Sequence, residues 1–207
     1  GSTQKAWFVL AITVAVLMLA FQSLTLLFAR ERISTSDEAT PLHELFRVIF
    51  RNDQLLWVTL GMVLFMTGYI TTTSLGLYYF KYVYGHEGVY TVFALILGVT
   101  QLVALAILPA VSKLLSRRGL HLIATVMIAL GYLVFWFSGI TPALVAIAGV
   151  LLFAGQAAIQ LLLVMFIADS VEYGEWKLGR RNESVTFSLQ PFVYKSSNAL
   201  ASGIVGL

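Results

Sequence analysis

A lysine deep inside an apolar block needs a reason to be there, and Lys195 is such a residue. It lies eleven residues beyond Ser184, where the last apolar block begins. At 1.5 Å per helical residue it therefore reaches about 16 Å into a hydrocarbon core about 30 Å thick. An ammonium at that depth should face a polar cavity or a carboxylate. A helix boundary that lets it snorkel to the surface is the other reading. Gln190 stands five residues before it, Gln156 and Gln160 share one face of the fifth block a turn apart, and Gln101 lies in the third. Amides both donate to and accept from hydroxyls, so these residues can line the same cavity; interhelical hydrogen bonding explains any one of them equally.

A second set is ionic. Asp169 and Glu172 are three residues apart at the end of a helical block, share a face, and carry negative charge where the helix dipole disfavours it. Arg117, Arg118 and Arg181 fall on the same side of the chain and can offset that charge. A solvated rim of weak pairs is the alternative.

Enzyme chemistry finds little support. His43-Glu44 is followed by Arg47 where a zincin helix needs a second His, and His86 and His121 fall in separate loops, so no metal site is expected. There is no Gly-x-Ser-x-Gly elbow, no phosphate-binding glycine loop and no cysteine. Asn182-Glu183-Ser184 fits a glycosylation acceptor but falls on the expected cytoplasmic side. Thr71-Thr72-Thr73-Ser74 is expected to bond back to its own helix. Tyr78, Tyr79, Phe80, Tyr82 and Tyr84 read as an interfacial belt, with a sugar-stacking platform as the alternative. Ala199/Gly203 and Ser202/Gly206 repeat at the four-residue spacing of a close helix contact.

Six apolar blocks must position these residues. They run over about 6–29, 55–79, 89–111, 120–138, 142–168 and 184–207, each close to the roughly 20 residues a spanning helix needs. With 59% apolar and 11% charged residues, the chain is a membrane protein, and continuous rather than alternating runs make it all-α. Of thirteen Lys and Arg, ten lie in three connections: Arg30, Arg32, Arg47 and Arg51; Lys113, Arg117 and Arg118; Lys177, Arg180 and Arg181. Only Lys5 and Lys81 mark the other side. This is membrane topology rather than a nucleic-acid surface, and it puts the three basic connections in the cytoplasm. Within the longest, Pro41 opens a short interfacial helix with Leu42, Leu45, Phe46 and Ile49 on one face and Glu44, Arg47 and Arg51 on another. The chain opens with Gly1-Ser2 almost against a span and stops at Leu207 inside an apolar run, so a longer protein is expected.

The segment from Ala168 to Ser184 closely resembles the loop between the tenth and eleventh helices of the glycoside-pentoside-hexuronide:cation symporters, which include the melibiose and lactose/galactoside carriers. Asn52-Asp53-Gln54-Leu55-Leu56-Trp57, Leu77-Tyr78-Tyr79-Phe80-Lys81-Tyr82 and Leu115-Ser116-Arg117-Arg118 resemble the same family in order and spacing. The resemblance implies a major-facilitator fold of twelve helices, of which this chain holds helices six to eleven. Residues 1–29 would be the last helix of the N-terminal half, 30–54 the middle loop, and 55–207 the first five helices of the C-terminal half. It further implies uptake of a glycoside, a galactoside or other disaccharide, with Na⁺ or H⁺ as coupling ion and no further cofactor. Lys195 and Gln190 would lie at the sugar and cation cavity, joined by Gln156 and Gln160. Asp169, Glu172, Arg117, Arg118 and Arg181 would form a cytoplasmic gate. Pro191 stands where the family often has Thr, and Gln160 where the melibiose carrier has Trp. The implied partners are the sugar, a monovalent cation, the lipid bilayer of the inner cell membrane and the N-terminal half. A polytopic membrane enzyme or sensor is the competing class.

Overall fold

A computed structural model describes residues 2–28, 42–86, 88–179 and 181–206. Expectations for Arg30, Arg32, Pro41 and Arg180, and for the side chains of Leu42, Glu44 and Leu45, lie outside what it describes. The described residues are helical: α1 (Ser2–Phe28), α2 (Leu42–Arg51), α3 (Asp53–Tyr78) continuing into a π turn (Tyr79–Val83), α4 (Gly88–Val111), α5 (Arg117–Ser138), α6 (Pro142–Leu178) and α7 (Glu183–Gly206). They fall into two units, Gly1–Thr40 and Pro41–Leu207. The first unit's described element is α1, a 27-residue apolar helix about 40 Å long.

Among the described residues, five helices are long and apolar enough to cross a membrane: α1, α3 with its π turn, α4, α5 and α6. The sixth expected block, α7, has the same 24 residues as α4 but dilutes its apolar residues with Gln190, Lys195, Ser196, Ser197 and Asn198. Length qualifies it where composition does not.

Helix ends follow local chemistry. Asn52 caps α3, its Oδ1 accepting the Leu55 N–H at 3.0 Å. Ser116 caps α5 through the Gly119 N–H at 3.2 Å, and Pro142 occupies the first turn of α6. The apolar run of α6 ends at about Ala168, and the sequence reading placed Asp169 and Glu172 at the end of that helix, with the segment onward to Ser184 resembling a loop. The structure corrects this: α6 continues ten residues to Leu178, stopping only where Gly179 turns left-handed at φ 69°. Backbone hydrogen bonding does not require apolar side chains, so hydropathy located the end of the lipid-facing stretch rather than of the helix. At 37 residues, about 55 Å, α6 far exceeds the hydrocarbon core. Asp169, Glu172, Tyr173 and Lys177 thus ride on a rigid helical extension instead of a loop.

The second unit is organised around α6, which packs against α3, α4, α5 and α7. Met62, Ala124, Ile159, Leu163, Ile167 and Val193 bring α3, α5, α6 and α7 into one core. In lipid, where burial of apolar surface gives little drive, small residues allow that approach. A Cβ on Gly155 would stand 2.7 Å from the Ala124 carbonyl oxygen, and one on Gly131 2.9 Å from the Leu152 backbone nitrogen. The Ala199/Gly203 and Ser202/Gly206 spacing on α7 meets no helix among the described residues: none of them lies within 4 Å of a Cβ added at Gly203 or Gly206.

The tyrosine cluster divides. Tyr78 and Tyr82 stack on each other and stay exposed, as a belt requires. Phe80 is fully buried against the rings of Tyr84, Tyr90 and Phe93, while the Tyr79 hydroxyl donates to the Gly139 carbonyl. The π turn supplies the change of phase that sends Phe80 inward.

Candidate functional site

Half-way along α7 the chain meets a cavity of about 410 Å³ between α3 and α7. Met62 and Met66 of α3 form one wall; Gln190, Pro191, Val193, Tyr194 and Lys195 of α7 form the other. Val193 is fully buried and anchors α7 to the core, which fixes the register of Gln190 and Lys195 on the cavity side. The Ser197 hydroxyl, donating to the Val63 carbonyl at 3.3 Å, adds a polar tie between the same helices. Pro191 has no N–H to give the Phe187 carbonyl, so the α7 ladder is interrupted beside Gln190. Lys195 lies twelve residues from the start of α7, about 18 Å along it, and its side chain is exposed in this chain. The arrangement offers an amide and an ammonium of α7 to a polar ligand, facing the methionine wall of α3.

Gln156 and Gln160 do not line that cavity. Gln156 is 2% exposed, and its Oε1 finds no hydrogen-bond partner among the described residues; the same holds for Gln160 Nε2 and Thr71 Oγ1. Gln101 donates to the Tyr69 hydroxyl at 3.2 Å, and Thr72 and Thr73 bond back to Gly68 and Tyr69 of their own helix. The Thr72 and Tyr132 hydroxyls also bond to each other.

At the basic end, Arg117 of α5 pairs with Asp169 of α6, and the Glu172 carboxylate adds to the attraction on the same guanidinium. Arg181 does not join them. Gly179 folds the chain back so that Arg181 bridges Glu183 at 3.1 Å and Glu175 at 3.2 Å, tying the end of α6 to the start of α7. Those two hydrogen-bonded carboxylates hold its guanidinium above the ordinary arginine pKa. Arg118 is exposed and has no ionic partner among the described residues. The five ionic residues expected to act together therefore separate into an α5–α6 pair with Glu172 nearby, an α6–α7 bridge and a lone arginine.

Sequence reasoning missed a third junction. Asn52, 1% exposed, donates its Nδ2 to the Ser170 carbonyl at 2.8 Å while capping α3. The adjoining Asp53 accepts from the Tyr173 hydroxyl at 3.0 Å and pairs with Lys177. A Cβ on Gly174 would come within 2.8 Å of Asn52 Nδ2. Ser170, Tyr173, Gly174 and Lys177 have i, i+3, i+4, i+7 spacing, so one face of the α6 extension clamps the start of α3. That spacing was the available signal. It went unused because the segment was read as a loop.

The sequence profile of the family described as MFS/sugar transport protein matches residues 1–207. The chain is similar to the raffinose carrier protein of Pediococcus pentosaceus, 31% identical over 206 residues, covering 98% of this chain and 32% of that protein. It is likewise 31% identical to the lactose permease of Lactobacillus delbrueckii subsp. bulgaricus over 208 residues, 99% of this chain and 33% of the permease. The glucuronide carrier protein homolog of Escherichia coli is 30% identical over 158 residues, 74% of this chain and 34% of the carrier. The chain spans about a third of the length of each. The helical membrane architecture, the motifs resembling the glycoside-pentoside-hexuronide:cation symporters and these similarities agree: the chain belongs to the MFS/sugar transport protein family.

Proposed function

We propose that the whole protein is a secondary carrier that takes up a glycoside with Na⁺ or H⁺ across the inner cell membrane by alternating access, and that it is not an enzyme. The observation that carries this reading is the cavity in which Gln190 and Lys195 meet at mid-depth of α7. In that role the Gln190 amide hydrogen-bonds sugar hydroxyls, and Lys195 supplies the positive charge against which carboxylates of the other half are set. Gln156 and Gln160, outside that cavity, keep polar atoms without a hydrogen-bond partner among the described residues. The names raffinose carrier and lactose permease among the relatives support a galactoside or other disaccharide as substrate.

The Arg117–Asp169 pair, with Glu172 beside it, serves in this reading as a cytoplasmic latch between α5 and α6, closed while the cavity opens outward. The test is uptake of labelled raffinose, lactose and a glucuronide by cells expressing the full-length protein, with Na⁺ and pH varied separately. Accumulation against a gradient that collapses when one cation gradient is dissipated is expected. Sugar equilibration that ignores both gradients would contradict coupling, and no movement of any glycoside would contradict the substrate class.

A further inference from the structure

An apolar groove of about 380 Å³ runs along the outside of α4, α5 and α6. Val99, Ala104 and Val111 of α4, Leu120 and Met127 of α5, and Val150 of α6 mark its course. From Val99 to Val111 it covers twelve helical residues, about 18 Å, close to the depth of one leaflet of a roughly 30 Å core. At one end its lining reaches Val111 and Leu120, the residues that flank the turn joining α4 to α5. That turn carries Lys113, and Arg118 follows in the first turn of α5; both are exposed and have no ionic partner among the described residues, whereas Arg117 is engaged by Asp169. Leu114, beside Lys113, is 84% exposed, so the turn presents apolar and cationic groups together, as a segment at the boundary between headgroups and acyl chains does.

We infer that the groove is a binding site for an anionic phospholipid, with one acyl chain lying between α4 and α5 and the phosphate held by Lys113 and Arg118. A mostly apolar trough one leaflet deep, with Thr100 its one hydroxyl-bearing lining residue and two cations without ionic partners among the described residues flanking its Val111–Leu120 end, complements a lipid chain joined to a phosphodiester. Basic sites between helices on that side of a membrane favour anionic headgroups for the same reason. The turn that carries Lys113 leads directly into Arg117, the first residue of α5 and the partner of Asp169. Occupancy therefore stabilises the α4–α5 turn from which the latch is built.

The full-length carrier, purified from vesicles of equal parts dioleoyl phosphatidylglycerol and dioleoyl phosphatidylcholine, is examined by native mass spectrometry for retained lipid. Retention of phosphatidylglycerol over phosphatidylcholine by about tenfold or more is expected, because two basic residues near the headgroups favour the anionic lipid. The Lys113→Gln/Arg118→Gln variant should fall to parity, and Ala104→Phe, which fills the groove, should lose both lipids. A photoreactive benzoylphenylalanine in place of Met127 should label lipid. Equal retention of the two lipids by the unaltered carrier, undiminished preference in the double variant, or labelling from position 127 of the carrier's own peptide would each overturn the inference, the last by showing that a protein segment fills the groove.

Discussion

Asn52 combines two functions that a carboxylate of the same size cannot. Its Oδ1 caps α3 and its Nδ2 donates to the Ser170 carbonyl, both within a site that excludes water. Asn52→Asp keeps the acceptor but sets an oxygen against the carbonyl, so it should destabilise the protein by about 1–3 kcal/mol, read as a lower thermal midpoint in detergent. Gly174 gives a sharper test because two effects oppose each other. Alanine in a helix gains about 1 kcal/mol over glycine, yet here its Cβ falls 2.8 Å from an amide fixed at both ends. Overpacking of about 1–3 kcal/mol should win, making Gly174→Ala destabilising. In an Asn52→Ala background the clash disappears and Gly174→Ala should become neutral or stabilising; equal effects in both backgrounds would refute the clamp. The Asn52-Asp53 pair was visible in the sequence as a motif, but its partners lie 118 to 124 residues away. Spacing along the chain reveals a cap and not the carbonyl beyond it.

Helix α6 joins these local contacts to the whole unit. Its apolar stretch packs against four helices, and its polar last ten residues hold α3 through Asn52 and Asp53, α5 through Arg117, and α7 through Arg181. If the Arg117–Asp169 pair is a latch, Asp169→Asn should raise access from the cytoplasm, and Arg117→Gln/Asp169→Asn should partly restore the balance. The chain has no cysteine, so single cysteines introduced along α7 can report that access by their labelling rates. Independent, additive effects of the two changes would instead describe a solvated rim. At Gly155 the demand is steric: its added Cβ meets the Ala124 backbone oxygen, which no rotamer change relieves. Gly155→Ala should therefore destabilise more than Gly149→Ala, where only the edge of the Phe93 ring stands in the way; thermal denaturation in detergent compares them. Apolar runs located α3 to α6 in the sequence to within a few residues at most ends. They failed at the end of α6, where hydrogen-bonded clamps rather than lipid sustain the helix, and at Phe80, whose π turn leaves no periodic trace.

In the carrier proposed above, the chain would supply one wall of the pathway, the side of the α3–α7 cavity that bears Gln190 and Lys195. Its helical membrane architecture was legible because apolar blocks and asymmetric basic connections are long-range features of composition. The candidate cavity was legible in part. Lys195 and Gln190 stood out because polar residues are costly in a span, and the structure places both on one cavity. Gln156 and Gln160 raised the same signal, yet they lie elsewhere in the bundle, since cost alone does not say which neighbour each helix face meets. The reading of Arg181 with Asp169 failed for a similar reason, as the turn at Gly179 fixes its partners and hydropathy does not. In the proposed carrier the charge of Lys195 takes part in coupled transport, and gradient-driven uptake by full-length carriers tests this. With equal amounts of protein in the membrane, Lys195→Leu should insert normally but lose accumulation of sugar, and Lys195→Arg should recover little, because a planar fork does not replace a compact ammonium. A Lys195→Leu carrier that accumulated sugar at the unaltered rate under the same cation gradient would show that this lysine has no part in coupling.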